Sequence, residues 1–322
     1  MTNKRVLLID ALNLFMRNYI VDPSLSTNGQ PIGGTKGFIK SLQSVCRKIN
    51  PDLILVAWDG GSQKRKSIDK NYKAGRKPVR LNRDIHNMTA GQQEDNKNWQ
   101  QQRIIEYLNE MPILQSYVEN VEADDIIALV SQSQVLSEYH KIILSSDKDF
   151  IQLCDDSTIL YRPIQKEILN KKRILEQFEI HPTNFALARA IAGDKSDNLP
   201  GVGGAGLPTV SKRFPFLSEE KAYTIQELVD YAEGVDSKLK VYKNIIEKRE
   251  IIEKNYKMMQ LYVPCISAQS AQYIRRMVGN PELAFNKTGV RAMMIEDGFG
   301  AYDWNDLFTL FNRITVENKE GK

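Results

Sequence analysis

The sequence predicts an α/β fold, a three-layer arrangement in which a parallel-type sheet carries helices on both faces, followed by a mostly helical C-terminal region. Three observations predict it. Unalternated apolar runs recur in the N-terminal half, segments of helical spacing fall between them, and from about residue 171 the pattern turns helical throughout. Unalternated runs suit strands covered on both faces. Their alternation with helices is the βαβ rhythm of a parallel sheet.

The elements follow in order. Val6-Leu7-Leu8-Ile9 reads as a first strand ending in Asp10, and residues 37–49 as a helix. Leu53-Ile54-Leu55-Val56-Ala57-Trp58 reads as a second strand ending in Asp59. Residues 124–135 have helical spacing, and Ile142-Ile143-Leu144 is a third strand reaching Ser145-Ser146-Asp147. Beyond 170, residues 183–192 and 223–231 read as helices and 237–262 as a long helical stretch, while 317–322 reads as a frayed tail.

Composition narrows the chemistry. A chain of 322 residues, 42% hydrophobic and 26% charged, predicts a globular protein of about two domains. Lys and Arg number 44 against 40 Asp and Glu, a net +4 that selects no partner. The three cysteines (Cys46, Cys154, Cys265) are widely spaced with no CxxC. That excludes a disulfide framework and a Cys-rich zinc site and points to a reducing compartment. No apolar run is long enough for a membrane span, and the start lacks a signal-peptide pattern. The three histidines (His86, His140, His181) show no HxxxH spacing. Any catalysis therefore rests on carboxylates.

Asp10, Asp59 and Asp147 fall at the carboxyl ends of the expected strands, where open α/β sheets bind ligands. Taken singly, each suits a helix cap or a loop; three converging on one edge suggest a site. Glu122-Ala123-Asp124-Asp125 and Asp147-Lys148-Asp149 add further acids, and Gly193-Asp194-Lys195-Ser196-Asp197-Asn198 adds the rest. A helix dipole stabilises a nearby charge by at most about 1 kcal/mol. Two carboxylates about 4 Å apart repel by roughly 4 kcal/mol at an effective dielectric near 20. So many acids in one cleft require cations. Hard oxygen donors select Mg²⁺ or Mn²⁺, and more acids than one octahedral ion can use implies two ions.

Between Gly60 and Arg83 stand Lys64, Arg65, Lys66, Lys70, Lys73, Arg76, Lys77, Arg80 and Arg83, against Asp69 alone. Such a run suits a solvated face, but its place directly after a strand-terminal aspartate also suits a phosphate. Gly201-Val202-Gly203-Gly204-Ala205-Gly206 matches GxGxxG. The dinucleotide reading needs a preceding strand, whereas a helix and Leu199-Pro200 come before it. Either an ordinary interhelical turn or a phosphate-approaching glycine turn fits.

In joint order and spacing these motifs resemble the 5′-nuclease or flap endonuclease superfamily, especially its free-standing bacteriophage members with RNase H and 5′→3′ exonuclease activity. The resemblance runs over most of residues 5–213. It rests on Leu8-Ile9-Asp10-Ala11, Ser26-Thr27-Asn28-Gly29, Ala57-Trp58-Asp59-Gly60, Tyr72-Lys73-Ala74-Gly75-Arg76-Lys77-Pro78 and the three acidic motifs above. It implies a PIN-like α/β catalytic unit over 1–170 with a basic arch or clamp at 60–110. A helical DNA-binding region would follow over 171–322, with a helix–three-turn–helix hairpin at 183–213.

By the same resemblance Asp10, Asp59, Glu122 and Asp124 hold a first metal, and Asp147, Asp149, Asp194 and Asp197 a second, with Asp125 in support. Tyr72, Lys73, Arg76 and Lys77 lie at the base of the arch, where Lys73 and Arg76 offset charge on the attacked phosphodiester. Gly201, Gly203, Gly204, Gly206, Thr209, Lys212 and Arg213 grip the duplex, in this family often around a K⁺ ion. Pro208 stands where the family commonly has Lys. The later cations Lys238, Lys240, Lys243, Lys248, Arg249, Lys254 and Lys257, alternating with acids, fit a solvated helix or a duplex-binding face.

The expected function is Mg²⁺-dependent 5′→3′ exonuclease and structure-specific flap endonuclease action near single-strand/duplex junctions, including 5′ flaps, nicks and RNA-primed duplexes. The expected protein is a cytoplasmic monomer of a bacterium or phage-infected cell, working beside a single-stranded-DNA-binding protein. Rival readings are a PIN-like ribonuclease, against which the glycine turn and the length argue, and a non-catalytic junction-binding protein, against which the full acid set argues. A DxD-nucleophile phosphatase would want an acid where Leu12 stands.

Overall fold

The computed structural model describes residues 4–75 and 88–320, residues 316–320 by backbone alone; Arg76, Lys77, Arg80 and Arg83 lie outside the described residues. Six strands form one sheet: β1 (Lys4–Asp10), β2 (Leu53–Trp58), β3 (Leu114–Tyr117), β4 (Tyr139–Leu144), β5 (Thr158–Arg162) and β6 (Glu167–Leu169). Their order is β3-β2-β1-β4-β5-β6. Pairing is parallel throughout except at the edge, where β6 runs antiparallel to β5. From β1 the chain builds outward through β2 and β3, then returns to add β4 on the other side. The order therefore reverses between β1 and β4, and a crevice opens there beyond the strand ends.

Strict alternation along each strand makes the layers. Val6, Leu8, Leu53, Leu55, Ala57, Ile143 and Leu160 pack to one face, under helices Ala123–Ser131 and Pro182–Ala192. Leu7, Ile9, Ile54, Val56, Ile142 and Leu144 pack to the other, under helices Ala11–Val21, Gly33–Ile49, Ala90–Asn109 and Trp304–Glu320. The first cluster continues without a break into the helical region through Phe214, Leu228, Ile245, Ile252 and Ile274.

The three expected strands are present; β3, β5 and β6 are additional. β3 is only four residues long with half-polar sequence Leu-Gln-Ser-Tyr, and β6 has three, too short for either periodicity to register. The long stretch 237–262 is not one helix. It breaks at Lys248 (φ −109°, ψ 25°) into Lys240–Glu247 and Arg249–Met259. The tail expected to fray is helical to Glu320. Among the described residues no helix is long and apolar enough to cross a membrane.

Helix Gly33–Ile49 starts after Ile32, which offers no side-chain cap. Gln100, 1% exposed, supplies one from across the layer. Its Oε1 accepts from the Thr35 amide at 2.9 Å, and its Nε2 donates to the Pro31 carbonyl at 3.0 Å and to Asn96 Oδ1 at 2.8 Å. Without it, the buried Thr35 amide loses its partner, while the Pro31 carbonyl keeps the Asn96 Nδ2 donor at 3.0 Å. Gln100→Ala should therefore cost about 1–3 kcal/mol. A urea titration should show a lower midpoint at unchanged slope; an unchanged midpoint would show that water replaces the cap.

Candidate active site

Asp10 ends β1 and caps the helix that follows. Its Oδ1 accepts from the Asn13 amide at 3.0 Å and its Oδ2 from the Ser145 hydroxyl at 3.1 Å. Ser145 lies just past β4, so this contact joins the two strands that flank the crevice. Asn13 adds a second tie, its Oδ1 accepting from the Ser146 amide at 3.1 Å. Asp147 and Asp149 lie on the same turn, where Asp147 Oδ1 accepts from the Asp149 amide at 2.8 Å. Asp124 sits in the first turn of helix Ala123–Ser131. Burial first, then the neighbouring carboxylates, pushes Asp10 up to about 6 and Asp149 to about 7. Asp124 is raised well above the usual range by the same causes.

Internal cations answer the remaining acids. Arg65, 4% exposed, holds both Glu122 (2%) and Asp125 (1%). Its Nη1 donates to Glu122 Oε2 and, at 2.6 Å, to Asp125 Oδ2, while its Nε donates to the Met258 carbonyl at 2.9 Å. Burial alone would lower the Arg65 pKa; Asp125 and Glu122 outweigh it and raise it. Lys73 Nζ donates to Glu122 Oε1, and the Tyr72 hydroxyl reaches Glu122 Oε2 at 3.3 Å. Asp125 also accepts from the Cys265 amide at 2.8 Å, which turns it away from the cleft. Arg189 bridges Asp149, at 2.8 Å, and Asp194. Burial works to raise Asp194, but the Ser196 hydroxyl and Arg189 together hold it below the usual range.

Two clefts meet at Lys73. One, of about 30 Å³, is lined by Asp124, Asp147, Asp149 and Asp197 together with Arg65 and Tyr72. The other, of about 330 Å³, is lined by Leu12, Trp58, Asp59, Ser62, Gln101 and Glu122. Asp59 is exposed and accepts from the Gly61 amide at 2.8 Å. Tyr72, expected near a bound strand, is buried at 4% exposure beside Leu199, Met258 and Met259. It packs in the wall of the cleft. Arg76 and Lys77, assigned to the strand-binding base of the arch, lie outside the described residues.

Among the described residues no three His, Cys, Asp or Glu side chains form a ready coordination shell. The donor set nonetheless fits hard cations: the acids of the cleft are carboxylates, with neither imidazole nor thiolate among its lining groups. A divalent ion would relieve the repulsion that raises Asp10, Asp124 and Asp149.

The glycine turn follows helix Pro182–Ala192, not a strand, which removes the dinucleotide reading. Gly193 and Gly201 serve close approach: a Cβ on Gly201 would lie 2.1 Å from the Ala192 carbonyl oxygen, and one on Gly193 2.3 Å from the Gly201 amide. Gly203, Gly204 and Gly206 are exposed. Thr209 is half-buried, its amide donating to the Gly206 carbonyl at 2.8 Å. Lys212 is exposed and Arg213 half-buried on helix Leu207–Arg213.

Sequence reasoning counted Arg65 only as part of a basic run and did not single out Arg189. Arg189 had a signal, being the one cation in the buried apolar run from Phe185 to Ile191. Two predictions follow from these charges. Arg65→Met should destabilise by about 3–5 kcal/mol, because it strands two buried carboxylates; calorimetry showing a smaller loss would mean that the acids escape to solvent. For Asp10 and Asp149 the folded pKa exceeds the usual 3.8, so the folded state binds more protons between the two values. Their contribution is full below about pH 4 and is lost as pH rises towards about 7. Metal-free wild type should accordingly lose stability relative to Asp149→Asn across that window, measured by thermal melts in EDTA. A difference independent of pH would contradict the assignment.

The fold and sequence have known counterparts. A 5′-3′ exonuclease of Aquifex aeolicus is 27% identical over 270 residues, covering 80% of this chain and 82% of that relative. The thermostable DNA polymerase I of Thermus aquaticus is 31% identical over 210 residues, covering 65% of this chain and 23% of the polymerase. Among solved structures, the T5 D15 protein co-crystallised with metal ions superposes with a TM-score of 0.67 at 17% identity, covering 85% of this chain and 98% of that one. The family profile of the 5′-3′ exonuclease N-terminal resolvase-like domain matches residues 5–179, more than half of the sequence, and on that match the chain belongs to the 5′-3′ exonuclease family.

Proposed function

We propose that this chain is a divalent-metal-dependent 5′→3′ exonuclease and flap endonuclease that cleaves phosphodiesters near single-strand/duplex junctions. The observation that carries the reading is the convergence of Asp10, Asp124, Asp147 and Asp149 on the crevice where the strand order reverses, with Lys73 at its rim. The T5 protein of the same fold has been crystallised with DNA and metal ions, which supports both ligand classes. Bound Mg²⁺ or Mn²⁺ would neutralise the phosphodiester and activate water. Asp10, Asp124, Asp147 and Asp149 would hold the ions, with Asp59 and Asp197 at the edges of the two clefts. Glu122 fixes the Lys73 ammonium, and Arg65 holds Glu122 in its buried position. Lys73 then offers a fixed cation to the charge that develops on phosphate oxygens.

The hairpin takes the duplex side of the junction through the exposed amides of Gly203, Gly204 and Gly206, with K⁺ as a candidate ion there. Substrates in this reading are 5′ flaps, nicks and RNA-primed duplexes. The protein acts as a cytoplasmic monomer of a bacterial or phage-infected cell, alongside a single-stranded-DNA-binding protein. Cleavage of 5′-labelled flap and RNA-primed duplexes with and without Mg²⁺ tests it. Asp10→Asn and Asp124→Asn should cut turnover by several orders of magnitude while junction affinity stays within about tenfold, since binding comes from distant phosphate contacts. In the same assay Lys73→Ala should slow single-turnover cleavage by about 10²-fold. Near-normal cleavage by both aspartate variants would remove the metal assignment.

A further inference from the structure

Lys248, at the end of helix Lys240–Glu247, lies beside the glycine turn. Asn244, one helical turn earlier, donates from Nδ2 to the Gly203 carbonyl at 3.0 Å and so docks helix Lys240–Glu247 on the hairpin tip. The Lys248 Nζ lies 3.9 Å from the point that a Cβ would occupy on Gly203. Lys248 caps the helix, its amide donating to the Asn244 carbonyl, and as the residue four beyond Asn244 it lies on the same face, toward the turn.

Its neighbours are committed elsewhere. Lys243 pairs with Glu247 at 3.5 Å, Arg249 with Glu253 at 2.7 Å, and Lys254 with Asp69 at 2.5 Å. Among the described residues Lys248 has no carboxylate partner within ion-pair distance. Nor do the amides of Gly203 and Gly204 donate to a protein group among the described residues, although those of Val202 and Ala205 on either side do. A half-buried ammonium beside two unspent amides is a site for an anion with several oxygens. Pro208, in the first turn of the next helix, brings neither N–H nor charge.

We infer that Lys248 and the Gly203–Gly204 amides form a binding site for a backbone phosphate of duplex nucleic acid, with Lys248 supplying the cation from a helix outside the hairpin. This rests on the nuclease reading and names the residue that gives the hairpin its charge. Lys248 is a binding residue that lines neither of the two clefts, so its loss should appear in affinity and salt dependence before it appears in turnover.

The test is a binding titration of full-length protein at several salt concentrations, with Ca²⁺ replacing Mg²⁺, on a 5′-flap duplex and on an isolated single strand. Each phosphate contact contributes about −0.9 to the slope of log K against log salt. Lys248→Ala should flatten the duplex slope by about that much and leave the single strand unchanged. Lys248→Arg should restore the slope, and Lys243→Ala, whose partner is Glu247, should not alter it. An unaltered slope in Lys248→Ala, an equal loss on single strands, or failure of the arginine to restore it overturns the site. Cleavage in Mg²⁺ is measured in parallel. Wild type that binds and cleaves beside an unaltered Lys248→Ala slope sinks this inference alone; wild type that does neither sinks the nuclease reading with it.

Discussion

Mutual repulsion among buried carboxylates at the reversal point of the sheet is the constraint around which the rest of this chain is arranged. The crevice between β1 and β4 is where a parallel sheet offers room for a ligand, and the chain places acids there from four separate segments. The protein answers part of that charge from within. Arg65 and Lys73 come from the segment after β2, and Arg189 comes from the helix that leads into the glycine turn. Removing one such cation strands a buried charge, which costs far more than a surface pair contributes. The ion pairs that balance the site therefore also dock two otherwise separate segments on the sheet. Burial and the neighbouring carboxylates still raise the pKa values of Asp10, Asp124 and Asp149, the last despite its pairing with Arg189.

How much of this was legible in the sequence follows from range. Strands with unalternated runs announced themselves, and so did the aspartates at their ends, because strand and acid are adjacent along the chain. β3 and β6 did not, being too short for a periodicity. Arg65 finds Glu122 across 57 residues and Arg189 finds Asp149 across 40; nothing local distinguishes Arg65 from a solvated cation, and Arg189 is marked only by standing alone in an apolar run, which does not name its partner. Tyr72 shows the converse. Its motif suggested exposure to a strand, but its packing against Met258 and Met259 is decided by a helix nearly two hundred residues away. The break at Lys248 is equally invisible to helical spacing, since the residues on both sides keep their apolar stripe.

The GxGxxG match illustrates how one pattern serves different geometries. In a dinucleotide fold its glycines serve a strand-to-helix turn. Here Gly193 and Gly201 bring two backbone segments closer than any side chain permits, while Gly203, Gly204 and Gly206 meet open space or ordinary contact distances. The first pair is needed for the chain to close on itself. The other three leave room for something that is not the chain, and only the structure separates these uses.

The segment after β2 also reaches the helical region directly. Asp69 pairs with Lys254, the Arg65 Nε holds the Met258 carbonyl, the Lys73 amide donates to the Asp197 carbonyl at 3.0 Å, and Asn198 Nδ2 donates to the Asn71 carbonyl at 3.1 Å. Lys73 itself adopts a left-handed conformation, φ +58°, which a lysine rarely takes without such ties. The Lys73 position is thus set from two directions: its side chain by Glu122 on the sheet side, its backbone by the loop that opens the hairpin. A force on the hairpin, such as a duplex pulling on Gly203 and Lys248, would reach Lys73 through Asp197 and Asn198 without passing through the sheet. Grip on the duplex and placement of the cation at the carboxylate cleft are on this reading mechanically continuous, because the same short loop carries both Asp197 and the first turn of the glycine hairpin.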